Sequence, residues 1–183
     1  MEFNRNFFER GQDIVQILPP TDVNAGVTGD WIRMTYYDRC SVLLKKDGSE
    51  QVDTLGMKFL QAQDASGTGS KDLACAQFTW NKFGTMTSQT VWVAGTAITT
   101  PTNYISFGSA APTGATAVIA DCGTTVFQIL TEVLASALDV ANGFDWFTVN
   151  FDGAQVDNSC LLEVLAILQG GRFPQAIPLS AIS

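Results

Sequence analysis

The sequence predicts an all-β domain, either an antiparallel sandwich or a barrel, on three observations. Short runs in which apolar and polar residues alternate recur along the chain, clusters of Gly, Thr, Asn and Pro separate these runs, and no helical period is repeated. Alternation is typical of a strand with one buried face, and Gly, Pro and Asn favour turns. Many short strands at such spacing indicate two packed sheets or a closed barrel.

Length and charge limit the organisation and the possible partners. The chain has 183 residues, of which 46% are hydrophobic and 15% charged, so it can bury a large core within one domain. We predict an N-terminal arm over residues 1–30, a β-sandwich domain over residues 31–170 and a C-terminal tail over residues 171–183. The net charge is −8 and no basic stripe is present, which argues against nucleic-acid binding because phosphates require clustered Lys or Arg.

The N-terminal segment is predicted to be extended. Apolar residues cluster at Phe7–Phe8 and from Ile14 to Leu18, and Pro19–Pro20 enforces an extended backbone ahead of a run of turn residues. These features fit an arm with anchoring hydrophobic residues. They fit equally well an edge strand of the domain itself, formed by Ile14, Val15, Ile17 and Leu18. Both interpretations stay open.

Membrane insertion and export are not indicated. The first twenty residues carry charges where a signal peptide needs its apolar run, and no segment approaches the ~20 apolar residues that span a bilayer. We therefore expect a protein that is made in the cytoplasm, stays there until it joins an assembly, and has no membrane partner.

From residue 31 onward, six segments show the two-residue period of strands. They are WIRMTYY (31–37), CSVLLKK (40–46), LGMKFLQ (55–61), CAQFTWNKF (75–83), TVFQILTEV (125–133) and WFTVNF (146–151). In three of these segments the alternation places three apolar residues on one face of the strand. The three sets are Ile32, Met34 and Tyr36; Leu55, Met57 and Phe59; and Phe147, Val149 and Phe151. Lys45–Lys46–Asp47–Gly48 reads as a turn after the second segment.

Two segments are compatible with either helix or strand. TEVLASALDVANG (131–143) is predicted to be a strand that runs into one helical turn, stopped by Asn142–Gly143. CLLEVLAILQGG (160–171) is compatible with a helix, but ten residues closed by Gly–Gly also suit a strand that is buried on both faces. We predict the strand.

Catalytic and metal-binding patterns are missing from the sequence. The chain has no histidine, so triads of the Ser-His-Asp or Cys-His type are excluded. Cys40, Cys75, Cys122 and Cys160 are too widely spaced for a zinc site and are predicted to be buried, reduced thiols. A pair of carboxylates could form a hydrolase site, but the sequence singles out no pair. We expect no enzyme activity and no cofactor.

Three loops could be taken for ligand sites. The Gly-rich loop QDASGTGSKD (63–72) lacks the spacing of a P-loop or dinucleotide loop, and a strand pattern follows it, so we predict a strand-to-strand loop without phosphate binding. The acidic loops Asp139–Asp145 and Asp152–Asn158 lack the spacing and the closing Glu of an EF-hand. Turn formation by Asp and Asn is the preferred interpretation of both.

Three segments together resemble a group of small structural proteins of tailed bacteriophages. They are QAQDASGTGSK (61–71), LDVANGFD (138–145) and RFPQAIPLSAI (172–182), and the resemblance extends from about residue 13 to Ile182. It implies a virion protein with a jelly-roll-like β fold. It further implies a capsid decoration or cement protein that binds the outer head surface, often as a homotrimer, and stabilises contacts between capsomers of the major capsid protein.

Apolar residues of the two terminal segments are the candidate contacts with the capsid. The hypothesis assigns anchoring to Phe7, Phe8, Ile14, Ile17, Leu18, Phe173, Ile177 and Leu179. Deletion of residues 1–20 is expected to leave a folded domain that no longer binds heads. The alternatives are a head–tail connector or tail protein, and a receptor- or carbohydrate-binding β domain that would use exposed aromatic residues. The candidates for the latter are Trp31, Trp80, Trp92 and Trp146.

Overall fold

The structure is a computed structural model that describes residues 12–23, 25–46, 54–74, 78–83, 93–94, 104–108, 115–120, 126–152 and 161–171. Within these ranges the chain forms the strands β1 (Asp13–Asp22), β2 (Val27–Thr28), β3 (Ile32–Arg33), β4 (Arg39–Lys46), β5 (Thr54–Ala62), β6 (Lys71–Leu73), β7 (Phe78–Phe83), β8 (Val93–Ala94), β9 (Tyr104–Gly108), β10 (Ala115–Ala120), β11 (Val126–Leu134), β12 (Trp146–Asp152) and β13 (Leu161–Gln169). Two short 3₁₀ turns, Ala135–Ala137 and Val140–Asn142, lie between β11 and β12.

The strands form two sheets that pack as a sandwich. Sheet A has the order β1-β13-β4-β11-β7-β8. Sheet B has the order β10-β9-β5-β12-β2, with β3 also paired to β12 and β6 to β5. The pairs are antiparallel except for β9 with β10, which is parallel. The predicted all-β fold and antiparallel sandwich are therefore confirmed.

Alternating side chains build the core between the sheets. In β12, Phe147, Val149 and Phe151 are buried, and in β5, Met57 and Phe59 are buried as predicted. The inner face of sheet A contributes alternate residues of β4, β11 and β13 to the same cluster. Each fully buried Val, Leu, Ile, Phe or Met side chain of this core stabilises the fold by about 1.5–3 kcal/mol relative to an exposed position.

Both ambiguous segments are strands. β11 runs into the 3₁₀ turns, and Gly143 follows them with a left-handed backbone at φ 84°, so the prediction of a strand ending in a helical turn is confirmed. β13 lies between β1 and β4. Its inner residues, such as Val164 and Ala166, are fully buried, whereas outward residues such as Leu165 and Ile167 are half-buried. The prediction of a strand is thus confirmed, and the predicted burial on both faces is complete on one face and partial on the other.

The N-terminal segment belongs to the sandwich from Asp13 onward. β1 pairs with β13 along its length, and Ile17 and Leu18 are buried in the core. Of the two open interpretations, the structure corresponds to the edge strand, so the extended arm does not describe residues 13–22. Pro19 and Pro20 are compatible with this position because a strand at a sheet edge needs no N–H donors on its outer side.

The segment after β1 joins the two sheets at their edge. The backbone N–H of Gly29 donates to the carbonyl of Val149 in sheet B at 2.9 Å, and that of Asp30 donates to the carbonyl of Ile17 in sheet A at 2.7 Å. The Thr148 hydroxyl donates to the Gly29 carbonyl at 2.8 Å. A Cβ at position 29 would lie 2.5 Å from Ile17 Cγ2, so this crossing requires glycine.

Two details of the predicted strands are wrong. Tyr36 does not share a buried face with Ile32 and Met34, because β3 ends at Arg33 and a turn closed by the N–H of Tyr37 and the carbonyl of Met34 leaves Tyr36 exposed. Lys46 is not part of a turn: it is the last residue of β4, and its side chain is buried.

Candidate functional site

Three connections meet at one end of the sandwich and form a surface that we call the loop platform. It comprises residues 31–38, which include β3 and precede β4, residues 63–71, which run from β5 to the first residue of β6, and residues 135–146, which run from β11 to the first residue of β12. The N–H of Met34 donates to the carbonyl of Asp145 at 2.8 Å, and the N–H of Ala135 donates to the carbonyl of Asp38 at 2.9 Å. Backbone hydrogen bonds thus fix the first of these connections to the third.

The Gly-rich loop is the strand-to-strand connection that the sequence predicts. The Asp64 carboxylate accepts the N–H groups of Ser66 and Thr68 at 2.8 and 3.1 Å. Hydrogen bonds from Thr68, with those from Ser66 and Gly67, hold the pKa of Asp64 below its ordinary value. The Asp64 carboxylate therefore already accepts backbone N–H groups that a bound phosphate would need as hydrogen-bond donors.

A glycine with a left-handed backbone brings the same loop against an aromatic ring. Gly67 has φ +80°, and a Cβ there would lie 2.9 Å from a ring carbon of Trp31. The loop therefore packs directly on the Trp31 side chain, which joins the first and second segments of the platform.

The Gly-rich loop and the acidic loop are held together by charged and polar side chains. Lys71 Nζ lies 2.5 Å from an oxygen of Asp139, and the N–H of Asp139 donates to the Gln61 side chain at 2.8 Å. Gln63 donates to the carbonyl of Asn142 at 3.0 Å. The Lys71 ammonium also lies 3.9 Å from the centre of the Phe144 ring, within the range of a cation–π interaction.

The acidic loop is organised as a turn. The Asp139 carboxylate accepts the side-chain amide of Asn142 at 2.9 Å in addition to Lys71. The hydrogen bond from Lys71, followed by that from Asn142, holds the pKa of Asp139 below its ordinary value. This agrees with the turn interpretation of Asp139–Asp145. For the second acidic loop, residues 153–158 lie outside the described residues. Within the described part of the chain, no group of three or more acidic or cysteine residues could hold a metal ion.

The start of β1 and the end of β13 both lie at the loop platform. Asp13 in β1 pairs with Leu168 in β13, and the Tyr37 hydroxyl donates to the Asp13 carboxylate. Burial, and then this hydrogen bond, raise the pKa of Tyr37 above its ordinary value. After β13, Gly170 adopts φ +70° against the side chain of Asp38, where a Cβ would lie 2.9 Å from an Asp38 carboxylate oxygen.

Arg33 is the centre of a second group of platform residues. Its Nε donates to the Thr35 hydroxyl at 2.9 Å and to the Asp145 carboxylate at 3.0 Å, and the Thr35 hydroxyl donates to the same carboxylate at 2.5 Å. The guanidinium carbon lies 5.8 Å from the ring centres of both Tyr36 and Trp146. The Arg33 guanidinium therefore lies near two aromatic rings, and hydrogen bonds fix its Nε side.

The structure separates the predicted anchoring residues into three groups. Ile14 is 56% exposed on β1, whereas Ile17 and Leu18 are core residues, and their burial contradicts a role as partner anchors. Phe7, Phe8, Phe173, Ile177 and Leu179 lie outside the described residues.

The other candidate residues divide in a similar way. Trp31 and Trp146 are half-buried on the platform; Trp92, Cys75, Cys122 and Cys160 are outside the described residues, and Trp80 is described only as a backbone position in β7. Cys40 is a free, buried thiol whose pKa burial raises to about 12.

Sequence reasoning missed Arg33 and Asp145 because they are 112 positions apart in the chain. A local signal was present only for Asp145, which ends one of the segments that carry the resemblance to phage proteins.

Comparison with protein-family models found no match, and comparison with curated protein sequences found none either. A solved structure with some similarity is the crystal structure of the SPBc2 prophage-derived protein YomS, with a TM-score of 0.38 and 10% sequence identity over 85% of this chain and 92% of that chain. A likeness at this level carries no inference about the present chain. No helix among the described residues is long and apolar enough to cross a membrane.

Proposed function

We propose that the chain is a bacteriophage capsid decoration protein, which binds the outside of the head and stabilises contacts between capsomers of the major capsid protein. The resemblance of residues 61–71, 138–145 and 172–182 to small phage structural proteins is the basis of this proposal. The observation that carries it further is the meeting of the first two of these segments on one surface. The ion pair of Lys71 with Asp139 and the hydrogen bond of Gln63 to Asn142 join them directly.

The form of the platform suits docking onto another protein. Residues 65, 66, 68 and 70 of the Gly-rich loop and residues 140–142 of the acidic loop are exposed, and the hydrogen bonds beneath them restrain the backbone. Binding surfaces are commonly loops that a rigid scaffold positions, and a restrained loop loses less conformational entropy when a partner binds. Val140, which is 58% exposed, adds an apolar side chain to this surface.

The start of β1 and the end of β13 lie close to the same surface. Asp13 and Gly170, next to the last described residues on either side, lie at the platform end of the sandwich. We retain Phe7, Phe8, Phe173, Ile177 and Leu179, together with exposed Ile14, as proposed anchors and remove the buried Ile17 and Leu18. Several weak contacts spread over a homotrimer would add to one another through multivalent attachment. The proposal involves no catalytic step and no cofactor.

The test is binding of purified protein to heads that were assembled without it. We expect saturation at hundreds of copies per head and increased resistance of the heads to heat. Six or twelve copies per head would instead indicate a connector, and a few copies at a fibre tip a receptor-binding protein; either result refutes the proposal.

A matched pair of variants locates the binding surface. Val140→Arg places a long charged side chain on the platform, whereas Leu161→Arg makes the same change at the opposite end of β13, where Leu161 is 39% exposed. We expect at least a tenfold loss of head binding for Val140→Arg and no loss for Leu161→Arg, with both variants retaining the thermal transition of the parent. Equal binding by the two variants would show that the platform is not the docking surface.

A further inference from the structure

We propose that Arg33 is the centre of a carboxylate-binding site on the loop platform, where its guanidinium receives an Asp or Glu side chain of a protein partner. That this partner is a capsid protein rests on the proposed function. The site itself is argued from three features of Arg33: its hydrogen bonds, its aromatic neighbours and the part of the guanidinium that they leave open.

The hydrogen bonds fix the orientation of the guanidinium. Nε is engaged by Thr35 and Asp145, which are themselves joined by the Thr35 hydroxyl. Among the described residues, Nη1 and Nη2 form no hydrogen bond, and the Arg33 side chain is 48% exposed. An Asp or Glu carboxylate can accept two parallel N–H bonds from these two nitrogens. Because Asp145 occupies the Nε side, the paired Nη edge is the one that the described residues leave open.

Two aromatic rings lie near the same side chain. Tyr36 and Trp146 each have their ring centre 5.8 Å from the guanidinium carbon. An arginine held in one orientation has already lost much of the side-chain entropy that binding would otherwise remove. Arg, Trp and Tyr are also the three residue types that contribute most often to the energetic centres of protein–protein interfaces.

A protein carboxylate fits this site better than a sugar does. Stacking of a sugar needs an open aromatic face, and the guanidinium lies over one face of Tyr36 and one face of Trp146. A planar guanidinium is instead matched in shape to a carboxylate. The chain has a net charge of −8. Although Arg33 Nε pairs with Asp145, the outward edge of the guanidinium gives local complementarity to an acidic residue that the rest of the surface would repel.

The first experiment tests the site without any phage particle. The probe is the blocked peptide acetyl-Gly-Glu-amide, compared with acetyl-Gly-Gln-amide at equal ionic strength, while the Nε–H resonances of the arginines are followed by NMR. We expect a saturable shift at Arg33 with the Glu peptide, none with the Gln peptide, and none at Arg39. Arg39 is the matched control. It is 54% exposed and paired with Glu132, but it lies on sheet A and has no cation–π contact among the described residues. No shift at Arg33, an equal shift with the Gln peptide, or an equal shift at Arg39 would overturn the proposal. A stronger response to methyl glucuronide than to the Glu peptide would overturn the choice of a protein carboxylate.

The second experiment separates this inference from the proposed function. Head binding is measured for the parent protein, Arg33→Gln, Arg33→Lys and Arg39→Gln. We expect at least a tenfold loss for Arg33→Gln, a smaller loss for Arg33→Lys, which keeps the charge but not the planar fork, and no loss for Arg39→Gln. If the parent binds and Arg33→Gln binds equally well, the carboxylate site is refuted while the decoration function stands. If the parent does not bind heads, the decoration function is refuted and the peptide titration alone decides the site.

Discussion

Ile17 and Ile14 lie three positions apart in β1 and provide a direct test of whether this segment is an arm or part of the domain. Ile17 is 0% exposed and Ile14 is 56% exposed. Truncation of a buried Ile to Ala typically costs 2–5 kcal/mol, because transfer energy is lost and a cavity remains. Since β1 is an edge strand, where neighbours can relax, we expect about 3 kcal/mol for Ile17→Ala. For Ile14→Ala, only strand propensity and partial burial are lost, about 1 kcal/mol or less.

The two variants are compared by urea unfolding and by thermal unfolding. For a chain of this size, each kcal/mol shifts the melting temperature by roughly 2–4 °C, so Ile17→Ala should melt about 6–12 °C below the parent and Ile14→Ala within about 4 °C of it. Equal and small effects of the two substitutions would refute the packing of β1 and restore the arm interpretation. The same reasoning changes the expected result of deleting residues 1–20: the deletion removes Ile17 and Leu18 from the core and should unfold the domain. A deletion that stops at residue 11 is the appropriate test of the terminal anchors.

Two further predictions concern the loop platform and the sheet crossing. Lys71→Met should raise the pKa of Asp139 toward its ordinary value, because the hydrogen bond from Lys71 is the largest cause of the lowered pKa. Carboxyl NMR titration measures this pKa, and Lys45→Met is the control. An unchanged pKa of Asp139 in Lys71→Met would contradict the prediction. Because the folded-state pKa is the lower one, the stability from this pair is present above the unfolded pKa of about 3.9 and is lost as pH falls through the folded value. Gly29→Ala should lower the free energy of unfolding by about 1–3 kcal/mol, because the new Cβ would lie 2.5 Å from Ile17 Cγ2 and 2.9 Å from the Ile17 carbonyl oxygen. An unchanged urea midpoint would show that the crossing has room for a side chain.

The strands of the core were predictable because burial on one face leaves a two-residue period in the local sequence. Phe147, Val149 and Phe151 follow that period, and all three are buried in β12. The turn chemistry of the Gly-rich loop was predictable for a similar reason, since Gly67 and Gly69 take the left-handed backbone that glycine adopts most readily. In both cases the physical cause lies within a few residues of the position.

The sequence by itself thus determined the fold class, the positions of the strands β4, β5, β7, β11, β12 and β13, and the strand-to-strand connection at residues 63–72. Only the tertiary structure decided that β1 packs in its own domain, because the pattern of Ile17 and Leu18 is the same whether the apolar partner is the same chain or another one. It alone joined Lys71 to Asp139 and Arg33 to Asp145, pairs separated by 68 and 112 positions. Such contacts depend on strand order and register, which are set by how two whole sheets pack and leave no short-range signal in the chain.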